Sequence, residues 1–221
     1  MRERPILFNT EMVKAILDER KTCTRRAIKF SSGMTGRPIG KAGDSSNPLG
    51  VMYPGGIKRP LYQLGDILYV RETWQKAGQV DEFDHIIDGT EKYYYAAGPE
   101  APCFDFWVDP ETGEHKDKMP WKPSIHMPKE AARIWLKVTD VRVEQLQDIT
   151  EVGAINEGYI DDIEYAKGKS ARNHFIGLWN STIKKSDIDI YGWSANPWVW
   201  VIEFRRCEKP GKLSGKEEVT T

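Results

Sequence analysis

Residues 15–26, AILDERKTCTRR, run an apolar helical pattern straight into four cations, two threonines and a cysteine. Upstream, in NTEMVKAILDERK (9–21), Met12, Val13, Ile16 and Leu17 recur at helical spacing. Asn9 or Thr10 is available as N-cap and Glu11 stands in the first turn, so the pattern predicts an amphipathic helix. As a plain helix end, Arg20 and Lys21 complement the helix dipole and the remainder is a solvated connector. The hydroxyls and thiol placed among the cations also gather nucleophiles and anion binders. In a regular strand Lys21 and Thr24 face opposite sides, and one further helical turn would bring them to one face. Cooperation between them therefore requires a turn-like backbone. There, burial and the like charges of Arg25 and Arg26 would favour a neutral Lys21 amine able to take the Thr24 proton. Such chemistry also needs an acid for the leaving group, and Glu72 and Glu157 are the candidates.

Outward from this run, GDILYVRETW (65–74) reads as a buried strand through Ile67, Leu68, Tyr69 and Val70, with Arg71, Glu72 and Trp74 at its exit. In ARIWLKVTDVRVEQL (132–146), Ile134, Leu136 and Val138 alternate, and Val141 and Val143 continue on a shifted phase. This predicts a long strand with a bend or bulge near Asp140. DITEVGAINEGY predicts a short helix capped by Thr150 and ending at Gly158, and SARNHFIGLWNSTI a second helix with Phe175, Leu178 and Trp179 on one face. NPWVWVIEFRR is the last strand, with Trp198, Trp200 and Ile202 alternating against Val199, Val201 and Glu203. Residues 31–60, rich in Gly, Ser and Pro, read as a long surface loop. Residues 76–118 read as a polar insertion holding a strand at KYYYAAG and a turn at DPETGE. Strands flanking short helices without regular βαβ alternation predict an α+β fold around a small, largely antiparallel β-barrel. One domain is expected over 1–207, followed by a flexible tail at 208–221.

Composition limits the function. The chain has 221 residues, 39% of them hydrophobic and 11% aromatic, enough for a sizeable core. With a net charge of −1 and a pI near 6.5, no global basic field draws it onto polyanions, so nucleic-acid contact has to be local. No apolar run approaches a membrane span, and MRERPILF is too short for a secretory signal, so the chain reads as cytoplasmic with no membrane partner. Cys23, Cys103 and Cys207 form no CxxC, and His85, His115, His126 and His174 lack metal spacing. No metal and no cofactor are expected.

AILDERKTCTRR resembles the signature of the ASCH family, relatives of the PUA-like RNA-binding domains, in which a Gly-x-Lys-x-x-x-x-Arg pattern follows the first helix. Lys21 and Arg26 match, and Glu19 stands where the family has glycine. RPILF, GDILYVRETW, WKPSIHMPKEAARIWLKVTDVRVEQLQDITEVGAINEG and WNSTI…ANPWVWVIEF also look like ASCH proteins carried by phages and prophages. The resemblance covers nearly the whole chain outside 31–60, 76–118 and the tail, and implies a PUA-like barrel. One bacterial branch of that family removes the acetyl group from N4-acetylcytidine. Carried over by position, its lysine, threonine and glutamate fall on Lys21, Thr24 and Glu157. The implied reaction is attack by Thr24 on the acyl carbonyl, with Lys21 handling its proton, Glu157 serving the departing amine, and backbone N–H groups or Arg26 stabilising the oxyanion.

Arg25, Arg26, Arg71, Glu72, Trp74, Ser124 and His126 are the candidate substrate contacts. Each also has a plainer explanation. Arg71 and Glu72 fit a barrel-mouth ion pair, and Trp74 and Trp198 fit core packing as readily as base stacking. Ser124 and His126 lie in WKPSIHMP, a rigid extended segment between prolines able to line a pocket, although a lone histidine is more often satisfied locally than catalytic. Packing alone accounts for Cys23. Three functions follow from this reading: hydrolysis of an acylated nucleoside or nucleobase, free or within single-stranded RNA; recognition of a single-stranded or modified base without chemistry; and metal-independent cleavage of RNA.

Overall fold

The segments with the longest apolar alternation organise the molecule. In the computed structural model, which describes residues 2–30, 36–79, 81–83, 85, 87–98, 107–108, 112–116, 120–159 and 170–211, strand β11 (Trp135–Gln145) pairs antiparallel with β12 (Trp198–Cys207) along its whole length. Beside β11 lies β6 (Ile67–Arg71), antiparallel to it, and β1 (Glu3–Leu7) runs parallel to β6. On the other flank β2 (Cys23–Ala27) pairs antiparallel with β12, giving the order β1-β6-β11-β12-β2. The fold is α+β, mostly antiparallel, with few short helices.

The register of β11 slips between Val138 and Asp140. Val138 pairs with Phe204 and Val141 with Ile202, so the bulge returns the shifted valines to the same core face. That face buries Ile6, Leu68, Leu136 and Ile202 under helix α1 (Thr10–Leu17), through Val13 and Ile16. Asn9 is the N-cap, its side chain accepting from the Met12 N–H at 2.9 Å. The opposite face buries Val199 and Val201 under helices α2 (Glu151–Asn156) and α3 (Ala171–Thr182), through Ala154, Phe175 and Trp179. Leu178 is only half-buried.

The expected barrel does not close. β1 and β2 are the two edges of an open sheet, and no ladder joins them among the described residues. A side chain spans the gap instead: Arg26 Nη2 donates to the Leu7 carbonyl at 2.8 Å, and its guanidinium lies 5.5 Å from the Phe8 ring centroid.

Residues 36–60, expected as a loop, carry a three-stranded antiparallel sheet of β3 (Arg37–Ile39), β4 (Gly50–Tyr53) and β5 (Gly56–Lys58). Strands of three or four residues are too short to display a period. Gly40 at φ 67° makes one of its turns, and a Cβ there would strike the Pro48 backbone. KYYYAAG supplies β8 (Lys92–Tyr95), paired with β7 (Trp74–Ala77). DPETGE falls between β9 (Trp107–Val108) and β10 (His115–Lys116), which pair antiparallel; residues 109–111 lie outside the described residues, as do 212–221 of the expected tail. Ser124–His126, expected extended, forms a single 3-10 turn whose N-cap Pro123 has φ −59°. No described helix is long and apolar enough to cross a membrane.

Candidate active site

The turn after α1 aims the site. Asp18 caps the helix and Glu19 takes a left-handed φ of 60°, so the N–H groups of Arg20 and Lys21 both reach back to the Ala15 carbonyl at 2.9 Å. Glutamate thus adopts the conformation that glycine would take at lower cost. The chain then runs extended. Lys21 forms an isolated antiparallel bridge with Glu157, and the Thr22 N–H donates to the Asn156 carbonyl at 2.9 Å. The turn-like backbone expected for residues 21–24 is absent, because the open edge of the sheet takes Cys23–Ala27 as strand β2.

Glu157 arrives from the other side. Thr150 caps α2 by accepting from the Gly153 N–H, and Gly158 at φ 100° turns the chain away after Glu157. Lys21 Nζ donates to the Glu157 carboxylate Oε2 at 2.6 Å and to the Glu157 carbonyl at 2.9 Å. The two side chains are 0% and 6% exposed, so this is a buried ion pair between residues 136 apart in sequence. The charged neighbour that Lys21 Nζ contacts is thus the Glu157 carboxylate. Arg25 is turned elsewhere: its Nη1 donates to Glu157 Oε1 at 3.3 Å and its Nη2 to Glu144 Oε2 at 3.1 Å.

Thr24 pairs with Ile202 and Arg26 with Trp200, so both belong to the sheet face packed on α1, whereas Cys23 and Arg25 belong to the face packed on α2. Thr24 is 3% exposed. Lys21 Nζ lies 5.6 Å from the Phe8 ring centroid, beside the ring that Arg26 also covers, which brings the ammonium to the face holding Thr24. Burial, with Glu157 next, pushes the Cys23 thiol up to about 12, so no thiolate forms there at neutral pH. The Lys21–Glu157 bridge stands between two crevices. One, of about 350 Å³, is lined by Lys21, Thr22, Phe204, Arg205 and Arg206; the other, of about 430 Å³, by Arg20, Glu157, Tyr159, His174 and Phe175.

The remaining candidates gather at the exit of β6. Leu7 pairs with Arg71, and the Phe8 N–H donates to the Arg71 carbonyl, so this cluster adjoins the Lys21 side across β1. Arg71 and Glu72 do not pair with each other. Arg71 Nε donates to the Met127 carbonyl at 2.6 Å, and Glu72, 1% exposed, takes a two-pronged bond from Arg133 at 2.9 and 2.8 Å. Trp74 is buried against Tyr93, with its indole N–H unpartnered. Ser124 is half-buried and His126 exposed, on the turn leading into Met127. The sequence reading missed Phe8, Glu144 and Arg133. Only Glu144 had a local signal: with Val141 and Val143 facing the core, Arg142 and Glu144 share the other face.

A solved structure of an ASCH domain from Lactobacillus crispatus JV V101 is similar over 93% of this chain and 79% of that chain, at 12% identity and a TM-score of 0.36. No family model and no curated protein matches the chain.

Proposed function

We propose that this protein is an ASCH-type amidohydrolase that removes an acyl group from the exocyclic amine of a modified nucleoside, N4-acetylcytidine being the model substrate. The observation that carries the reading is the buried contact of 2.6 Å between Lys21 and Glu157. It joins the two ionisable positions singled out by the sequence resemblance.

The pair would relay the protons of the reaction, with Thr24 as nucleophile and water completing it. The Lys21 ammonium first gives its proton to the Glu157 carboxylate, leaving a neutral amine beside a carboxylic acid. The amine takes the Thr24 hydroxyl proton as Thr24 Oγ attacks the acyl carbonyl. The Glu157 acid protonates the departing exocyclic nitrogen as the C–N bond breaks, which restores ammonium and carboxylate. Water then hydrolyses the acyl-threonine ester, releasing the carboxylic acid. Arg26 has N–H groups beyond the one given to Leu7, and these or backbone N–H groups would hold the oxyanion.

A second reading, recognition of an RNA base without chemistry, is favoured by a different observation. Thr24 and Lys21 are closed to solvent, while Arg205 and Arg206 are exposed, carry no ion pair among the described residues and line the crevice beside Lys21. Incubation with N4-acetylcytidine separates the two. Release of cytidine by the wild type, lost at least about a hundredfold in Lys21→Ala, Thr24→Ala and Glu157→Ala with folding intact, supports the hydrolase. An inert wild type that retards single-stranded RNA with steep salt dependence, weakened by Arg205→Ala, supports the binding module. Shortened RNA without metal supports a ribonuclease.

A further inference from the structure

The ion pair at the site is the inner end of a longer chain of alternating charge. Glu203 and Asp140 both accept from Arg142 Nη1, and Arg142 Nε donates to Glu144 Oε1. Glu144 Oε2 accepts from Arg25 Nη2, Arg25 Nη1 donates to Glu157 Oε1, and Glu157 Oε2 accepts from Lys21. Each inner carboxylate gives one oxygen to each neighbouring cation, and Arg25 gives one nitrogen to each neighbouring carboxylate. The outer members are partly exposed, 38% at the Arg142 side chain and 24% at Glu144, and the inner ones buried, 2% at Arg25, 6% at Glu157 and 0% at Lys21. The sheet register sets this alignment: Arg25 pairs with Val201, and Val201 with Arg142.

Space has been cleared for the central guanidinium. A Cβ on Gly153 would come 3.2 Å from Arg25 Nη2, tighter than ordinary contact, although glycine costs about 1 kcal/mol within a helix. Arg25 Nε is buried with no hydrogen-bond partner, and the side chain is held by the two carboxylates, by the thiol of Cys23 at 3.8 Å and by the Phe175 ring, whose centroid lies 6.0 Å from the guanidinium carbon.

We propose that Arg25, shared between Glu157 and Glu144, is a positioning residue that leaves only Oε2 of Glu157 to exchange a proton with Lys21, and that Glu144 limits how firmly Arg25 holds that carboxylate. The inference rests on the hydrolase reading for its catalytic meaning, not for its physics. Arg25 Nη1 occupies Oε1 of Glu157 while its Nη2 is held by Glu144, so the two carboxylates compete for one guanidinium. The groups facing Glu157 are Lys21, Cys23 and Arg25, with Arg26 acting at longer range, Glu11 and Arg20 from α1 and the turn after it, and Tyr159 and His174 across the crevice.

Titration of the Glu157 carboxyl by carbon-detected NMR in the full chain tests this directly. Arg25→Gln should raise its proton affinity at least tenfold, and Arg25→Lys should restore most of it. Glu144→Gln should lower the affinity in the wild-type background, and that effect should shrink by at least half when Arg25→Gln is also present. Titration within twofold of wild type in Arg25→Gln, or an undiminished Glu144→Gln effect without Arg25, overturns the proposal. If Arg25→Gln does not fold, Glu144→Gln and Arg25→Lys decide, the proposal then requiring opposite shifts. With N4-acetylcytidine the acid limb of the kcat profile should move in the same sense as the titration. A wild type without hydrolytic activity defeats the functional reading while the NMR result still judges the clamp.

Discussion

A methyl group on Gly158 would stand 2.8 Å from the Cβ of Lys21 and 2.7 Å from that of Ala15. The bridge that joins Lys21 to Glu157 therefore depends on a residue without a side chain, held at φ 100°. Gly158→Ala combines a left-handed backbone with a steric clash and should cost about 2–4 kcal/mol. Gly65→Ala, at φ 83° with nothing within 4 Å, is the control and should cost about 1–2 kcal/mol. Urea denaturation of the two variants measures the difference.

Removal of either partner from the buried Lys21–Glu157 pair strands a charge. Lys21→Met and Glu157→Leu should each cost about 3–5 kcal/mol, and the double variant should recover most of that loss. A double-mutant cycle by chemical denaturation checks this. Additive losses would count against the pair as drawn.

Glu19 holds a left-handed conformation at φ 60° where the ASCH pattern has glycine. Glu19→Gly should raise stability by about 0.5–1 kcal/mol, since relief of backbone strain exceeds the added chain entropy of the unfolded state. The midpoint of thermal unfolding should rise accordingly.

Cys23 carries a thiol whose folded pKa is about 12 against an ordinary 9.0. Its contribution to stability is fully present below pH 9. As pH rises from there toward 12 the unfolded state loses the proton while the folded state keeps it, so stability falls by about 1.4 kcal/mol per pH unit. Cys23→Ala should remove that slope, as read from denaturation curves at pH 8, 9 and 10. Alkylation with iodoacetamide at pH 8, followed by peptide mapping, should leave Cys23 unmodified in the folded protein.

Glu72 takes both prongs of Arg133, which lies 4.1 Å from the Tyr95 ring centroid. Arg133→Lys keeps the charge and loses the fork, and should cost about 1–3 kcal/mol in a denaturation experiment.

The sequence made some of this plain and hid the rest for identifiable reasons. Helix α1 and strands β11 and β12 are long enough to show their periods, and the phase slip between Val138 and Val141 located the bulge. The run at 19–26 itself raised Lys21 and Thr24, with Glu72 and Glu157 as candidate acids, but only the family resemblance selected Glu157, because no local pattern links residues 136 apart. The partner of Glu72 was hidden likewise, since Arg133 lies 61 positions away with no shared period. Phe8 at the end of β1 looks like any core aromatic, and only the fold shows two cations over its ring. The barrel was over-read: alternating strands announce a sheet, whereas closure depends on edge geometry that no alternation encodes.

One guanidinium, that of Arg26, reaches from β2 to the end of β1 at Leu7. The two rims of the sheet are thereby fastened like a sleeve held by a single button. Loss of that bond would add the Leu7 carbonyl to the peptide groups that these open edges present to a neighbouring strand.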